Sequence, residues 1–384
     1  MHRLSKAAFT LFALTMFAAS CGGELGTSLD ATDNGTSLDA AGDACTPDCA
    51  ERECGDDGCG GSCGSCAVGC SCSSTGVCTD CIEPIDIDVK KGCNPLSTSD
   101  MCILPYPSFF YEDEDTASPT GVRVHYPEDA IPIPDGVPGF NMDPTNAADG
   151  VSPAGPILVH FGKDVAPGNL NTIHELGKSL ASSNPIAIID METGKRVVFM
   201  SEMDMNRRDD YPGRYALIIR PMEPMTMGHR HVAVLTRDLT DADGIPLESP
   251  PAFAALRDEI PTTNTEIEAV RNHFEGLFGF LKDHGYARDD LLLAWDFSVA
   301  SSDFLLGSIL SMREKALAEM KGKGLAYTIT KVEDDPNENL AKLVEGDFEV
   351  PTFLRADNTF DYDADHHPVR QAENLSFHFT MIIP

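Results

Sequence analysis

The chain has 384 residues, with 28 Lys and Arg against 61 Asp and Glu, a formal charge of -33. A polyanion of that size repels nucleic acid and anionic lipid headgroups at low salt, which argues against a nucleic-acid partner and leaves a solvated acidic surface or divalent-cation contact. With 42% hydrophobic residues the chain has the material for real cores, and its length allows two or three domains. Residues 1–20 carry basic Arg3 and Lys6, then an uncharged apolar run over 7–19, then small residues before Cys21. That is the three-part pattern of a secretory signal, and its apolar run is too short to span a bilayer as a helix.

The ending Ala18-Ala19-Ser20-Cys21 resembles the lipobox of bacterial lipoproteins, although that family usually has Leu where Ala18 stands. The resemblance implies acylation of the Cys21 thiol with diacylglycerol, palmitate-type chains, and Cys21 as the mature N-terminus. Each buried CH2 is worth about 0.8 kcal/mol, so a multiply acylated cysteine would anchor the protein to a membrane. Gly22 rather than Asp after the cysteine implies the outer membrane or cell surface. Loss of the leader takes the charge to -35 (26 basic against 61 acidic).

Residues 21–44 read as a flexible tether, because 26–34 (GTSLDATDN) and 35–43 (GTSLDAAGD) form a direct repeat of small, polar and acidic residues that cannot bury anything. Region 45–82 holds ten cysteines, Cys45, Cys49, Cys54, Cys59, Cys63, Cys66, Cys70, Cys72, Cys78 and Cys81. So little apolar content cannot hold a fold without staples, and an exported chain makes five disulfides the expectation. The pairing cannot be read from sequence. Cys63, Cys66, Cys78 and Cys81 also have zinc-ribbon spacing, which the extra cysteines between the pairs argue against. The run 54–63 resembles the glycine-cysteine modules of exported bacterial proteins, where they serve as stalks. Gly60-Gly61-Ser62-Cys63-Gly64 matches the G-x-S-x-G nucleophile elbow in form, but an elbow needs a strand before it and a helix after it.

Cys93 and Cys102 remain as a pair with eight residues between them, in a Pro- and Asp-rich segment (83–155) read as a strap with one strand at 122–126. Over 156–250, short Ile- and Val-rich runs at 156–161, 185–190, 195–200, 214–221 and 229–236 alternate with turn signals at 191–194 and 241–244. This spacing predicts an immunoglobulin-like β-sandwich. Region 251–323 reads as a helical insert with one strand. A capping box at Thr263-Asn264-Thr265-Glu266 precedes a stripe of Ile267, Val270, Phe274, Leu277, Phe278 and Leu281, closed by Gly285. A strand at 291–299 carries Trp295, and a second helix at 304–320 aligns Leu305, Ile309, Met312 and Ala316. Strands at 327–332, 347–354 and 375–383 make a C-terminal β region, 324–384. The fold class is mainly β with an α insert.

Several pieces from 92 onward, Cys93-Asn94-Pro95-Leu96, Cys102-Ile103-Leu104-Pro105-Tyr106-Pro107-Ser108, Ala148-Asp149-Gly150-Val151-Ser152-Pro153, Ile219-Arg220-Pro221 and Ala294-Trp295-Asp296-Phe297-Ser298-Val299-Ala300-Ser301, carry a second resemblance. They look like the non-catalytic N-terminal region of large extracellular bacterial proteins whose C-terminal half is an α/β-hydrolase of lipase or esterase type. Residues 214–247 also look like Ig-like repeats of bacterial surface proteins, with Met227-Gly228 in place of Pro-Gly. The resemblance implies an accessory region, a C-terminal β region that is incomplete, and a hydrolase domain as its partner beyond Pro384.

Two clusters invite a metal reading. Met222, Met225, Met227, His229 and His231 form a soft set suited to copper, against the plainer alternative of methionines filling a core edge. Asp361, Asp363, Asp365, His366 and His367 offer a calcium-type set in a polar stretch, against a solvated loop. No triad, zincin motif or P-loop is present, so no catalytic residue and no cofactor is expected. The competing readings are a surface binding or adhesion module and a periplasmic copper binder.

Overall fold

The structure, a computed structural model, describes residues 37–38, 44–97, 101–127, 130, 142–206, 215–322, 324–364 and 366–384. The expected signal segment, Cys21, most of the tether, Arg214 and Asp365 lie outside the described residues. Two compact units are present, one reaching to Cys66 and including Cys72–Thr79, the other comprising Ala67–Ser71 and Asp80–Pro384. Antiparallel strands predominate over helices.

In the first unit the regular structure is brief. Two-residue strands β1 (Ser37–Leu38) and β2 (Ala44–Cys45) pair antiparallel, as do β3 (Ser71–Cys72) and β4 (Cys78–Thr79). Cys54 is its one fully buried apolar side chain among the described residues. Disulfides replace the missing core: Cys49–Cys63, Cys54–Cys72 and Cys66–Cys78 close loops of 14, 18 and 12 residues. Such a loop adds about 3 kcal/mol by restricting the unfolded chain. Cys59 is also disulfide-bonded. Glycine is needed at Gly64, where φ is +128° and a Cβ would stand 2.7 Å from the Glu53 carbonyl oxygen.

The second unit begins with two more bridges, Cys70–Cys81 and Cys93–Cys102. Its strap forms a hairpin of β5 (Glu112–Glu114) and β6 (Val122–Val124), of which the sequence showed the second strand alone. After the one-turn helix α1 (Asp143–Asn146) come β7 (Ile157–Val159), β8 (Ile186–Asp190), β9 (Phe199–Met203), β10 (Leu217–Pro221) and β11 (Arg230–Thr236). Helices α2 (Pro251–Arg257), α3 (Thr265–Ala269) and α4 (Arg271–Asp283) then precede β12 (Leu291–Ser298).

Two three-stranded antiparallel sheets result, in the orders β7-β10-β9 and β12-β11-β8. β12 pairs with β11 across 54 intervening residues (237–290), so the helices are an excursion between neighbouring strands, and the body extends past residue 250 to Ser298. At 190–194 the chain turns tightly, with Asp190 N–H donating to the Lys195 carbonyl. It then leaves β8 for β9 in the other sheet.

One apolar cluster joins both sheets and the helices, including Ile157, Phe199, Ile219, Val234, Phe274 and Trp295. Every residue of β8 and β12 is buried, which explains why these strands read as near-continuous apolar runs. Trp295 is fully buried and donates from Nε1 to the Pro107 carbonyl at 2.6 Å, tying the strap to β12. Burial of a side chain of this class contributes about 1.5–3 kcal/mol. The α3 cap is Asn264 rather than Thr263: its Oδ1 accepts from the N–H groups of Glu266 and Ile267, leaving the stripe to continue through a break at Val270 into α4.

The quoted pieces around 148–153 and 294–301 prove to be structural partners. Val151 bridges Val299 in parallel, and Asp149 Oδ1 accepts from Ser301 N–H at 3.1 Å. Gly150 is required there, since a Cβ would lie 2.6 Å from Ala300 N.

Beyond β12, helix α5 (Ser302–Met320) is capped by Ser301 and has no buried residue. Strands β13 (Tyr327–Asn337), β14 (Leu340–Pro351) and β15 (Asn374–Ile383) form a third antiparallel sheet in chain order. An apolar stripe of this period usually packs in a core, but Ile309 of the α5 stripe is 55% exposed, and Leu305, Met312 and Ala316 are half-buried.

Candidate functional site

The polar groups that cluster in the second unit lie on β8, β11, β12, the strap and α4. Asp190 ends β8, and its carboxylate organises the turn that follows. Oδ1 accepts from the N–H groups of Glu192 and Thr193 at 3.0 and 3.1 Å, and Oδ2 accepts from Thr226 Oγ1 at 2.9 Å. His229 Nδ1 lies 3.0 Å from Oδ2 and 3.6 Å from Glu192 Oε2. Burial alone would raise the Asp190 pKa, but the bonds from His229, Thr226 and Thr193 outweigh it and bring the carboxyl down to about 2. Arg230 N–H in turn holds both oxygens of Glu192, at 2.9 and 3.1 Å.

A second network lies under the strap. Arg230 pairs with Asp296 at 2.6 Å and with Glu112 at 2.7 Å, and His273 Nε2 meets the other Asp296 oxygen at 2.7 Å. Glu112 also accepts from Ser298 N–H and Oγ at 2.6 and 3.1 Å. Asp296 is fully buried. Desolvation pushes its pKa up, and the His273 bond and the Arg230 charge overcome that and hold it below the ordinary carboxylate range. Five polar groups from four elements are thus closed on one another, which satisfies each and clamps the strap onto β12 and α4.

The His273–Asp296 pair has the form of a general base and its orienting acid. The His273 ring, however, stacks on Phe109 at 4.1 Å between centroids, and Ser298 donates to Glu112 instead. Among the described residues no hydroxyl or thiol bonds to His273. Ser62 is exposed, and its hydroxyl is engaged with Gly64 in a local turn. No protein-family model and no curated protein matches this chain.

The metal expectations from sequence separate differently. Met225 is in the core, Met222 and Met227 are about 40% exposed, and β11 starts at Arg230, leaving His229 outside the strand. His231 is wholly buried, facing Phe297 across the strands; burial pushes its pKa down. Thus the soft set is divided between core and surface, and His229 turns to carboxylates. The zinc-ribbon cysteines fall in three different disulfides, Cys63 with Cys49, Cys66 with Cys78 and Cys81 with Cys70, which leaves no thiolate to ligate. Asp361 accepts from Arg355, and Asp363 from Lys315 and the His367 N–H, so both serve ion pairs and a turn.

Asp190, Glu192, Glu112, His273 and Asp296 went unnoticed in the sequence. The Asp before the 191–194 turn was the one local signal available; the rest needed the β8–β11–β12 register.

Proposed function

We propose that the second unit is an immunoglobulin-like sandwich acting as the accessory, positioning region of a hydrolase-like protein. In this proposal the first unit is its stalk, and Cys21 its lipid anchor at the outer membrane or cell surface. The strand order supports the fold reading. Taken in chain order as B, C, D, E, F and G, the sheets β7-β10-β9 and β12-β11-β8 are B-E-D and G-F-C, the pairing order of that fold. Tyr106 bridges Leu158 where a first strand would pair with B. The disulfides suit an oxidising compartment outside the cytosol. Among the described residues no helix is long and apolar enough to cross a membrane.

One observation carries the accessory reading. The third sheet and α5 expose Phe304, Ile309, Leu317, Tyr327, Phe377 and Ile382, each 40% or more accessible. Monomeric proteins rarely leave apolar surface of this extent without a partner. Phe377 and Ile382 point to opposite sides of the sheet, so a hydrolase domain packed on this region would bury part of it, and the same region serves a separate surface ligand in the adhesion reading. The test is turnover of short- and long-chain acyl esters by residues 93–384 and by the polypeptide extended through the coding sequence after Pro384. The expected result is no turnover by the first and activity in the second. Activity in the first overturns the accessory reading, and an unrelated or absent extension favours the adhesion module.

A further inference from the structure

We propose that Asp190, Glu192 and His229 form a binding site for a divalent transition-metal cation, with zinc the best chemical match. Their ligand atoms all lie within 4.8 Å of one another. Zinc bonds imidazole nitrogen and carboxylate oxygen at about 2.0–2.2 Å, which places two ligands on one tetrahedral ion roughly 3.4 Å apart. The separations from His229 Nδ1, 3.0 Å to Asp190 Oδ2 and 3.6 Å to Glu192 Oε2, bracket that value.

The ligands are held by groups that are themselves fixed. The two turn N–H groups and Thr226 orient Asp190, and the Arg230 N–H orients Glu192. Supporting bonds of this kind fix ligand direction and strengthen metal binding. The charge also fits. The Arg230 guanidinium is committed to Glu112 and Asp296, and among the described residues no Lys or Arg pairs with Asp190 or Glu192. Two carboxylates therefore face one imidazole, a set that a divalent cation neutralises. In binding, the cation takes the His229 Nδ1 lone pair in place of the contact with Asp190, and the neutral ring carries its one proton on Nε2.

Asp190 is nearly buried, while the Glu192 and His229 side chains are 46% and 31% exposed, so the set opens to solvent on one side. Three protein ligands with an open side leave a fourth position for water or for a donor from a bound partner. Imidazole with carboxylate oxygen favours zinc over the monovalent copper that thioethers would select.

The experiment uses the full chain with its disulfides intact and the unpaired one of its thirteen cysteines blocked by alkylation, stripped with a chelator and titrated with zinc chloride by calorimetry. Glu192→Gln and His229→Gln are compared with the wild type. The partly exposed side chains at both positions let the variants fold, and unchanged circular dichroism checks it. His284→Gln, at an exposed histidine on α4's C-terminal side, is the control. The expected result is one zinc per chain, weakened at least ten-fold by each of the first two variants and less than two-fold by the control. No zinc binding, or affinities within two-fold of wild type in both ligand variants, would overturn the site.

Discussion

Sheet β12-β11-β8 and sheet β13-β14-β15 are both three-stranded and antiparallel, and β15 is as rich in Ile, Leu and Phe as the strands of the first, yet their surroundings are opposite. Every residue of β12 is buried, whereas β15 has only one partly buried position and none fully buried. The first sheet is covered by the other sheet's core residues and by α2 to α4, while α5, the helix beside the second, has no fully buried residue. A strand's pattern of side chains states what surface it needs covered. Whether the chain supplies that cover is a separate matter, and among the described residues β12 has it and β15 does not.

Several changes break this contrast, in falling order of expected effect. Reduction of the disulfides should remove the ordered structure of the first unit, since each bridge there contributes about 3 kcal/mol and no apolar core stands behind it. Proteolysis should then cut within 46–79 while β7 to β12 stay resistant. Trp295→Ala should cost about 3–5 kcal/mol in urea unfolding, from lost packing and the cavity left behind. Any comparable loss from Phe377→Ala, on the exposed sheet, would erase the distinction between the sheets.

Asp296→Asn should cost about 3 kcal/mol at neutral pH, because His273 loses its partner carboxylate and Arg230 is left with Glu112 alone. The pH dependence has a definite sign. The folded-state pKa of Asp296 lies below its unfolded value of about 3.9, so its contribution is present above that value and is lost as pH falls through the lowered folded one. The gap between wild type and variant should therefore close in acid, as read from urea midpoints across a pH series. A gap that does not shrink at any pH below the unfolded value would mean that the carboxylate charge is not what holds the strap. Asn264→Ala should cost about 1 kcal/mol through the lost α3 cap, the smallest effect of the series.

Much of the two-sheet body was legible in sequence, because β7, β8, β10 and β11 are short Ile- and Val-rich runs between turns, and Gly194 and Gly244 take the positive φ their turns require. The α4 stripe was legible for the same reason, as Phe274, Leu277, Phe278 and Leu281 share a face and are buried. The partnership of β12 with β11 was not. It depends on a pairing across three helices, which leaves no local trace. The site residues were hidden similarly: Asp190 and His229 are 39 residues apart and meet because β8 and β11 are neighbours. The α5 stripe misled, since a helical apolar period marks a face that needs cover and does not say whether the same chain provides it.

Hydrogen exchange followed by mass spectrometry tests the central claim, that the region of α5 and β13 to β15 takes a partner domain. In the chain as it stands, amides of β15 should exchange at least ~100-fold faster than those of β11 and β12, because strands without a covered face open at low cost. In the polypeptide extended through the sequence that follows Pro384, β15 should become protected to the level of β12. Equal protection of β15 and β12 in the unextended chain, or no gain on extension, would contradict the account.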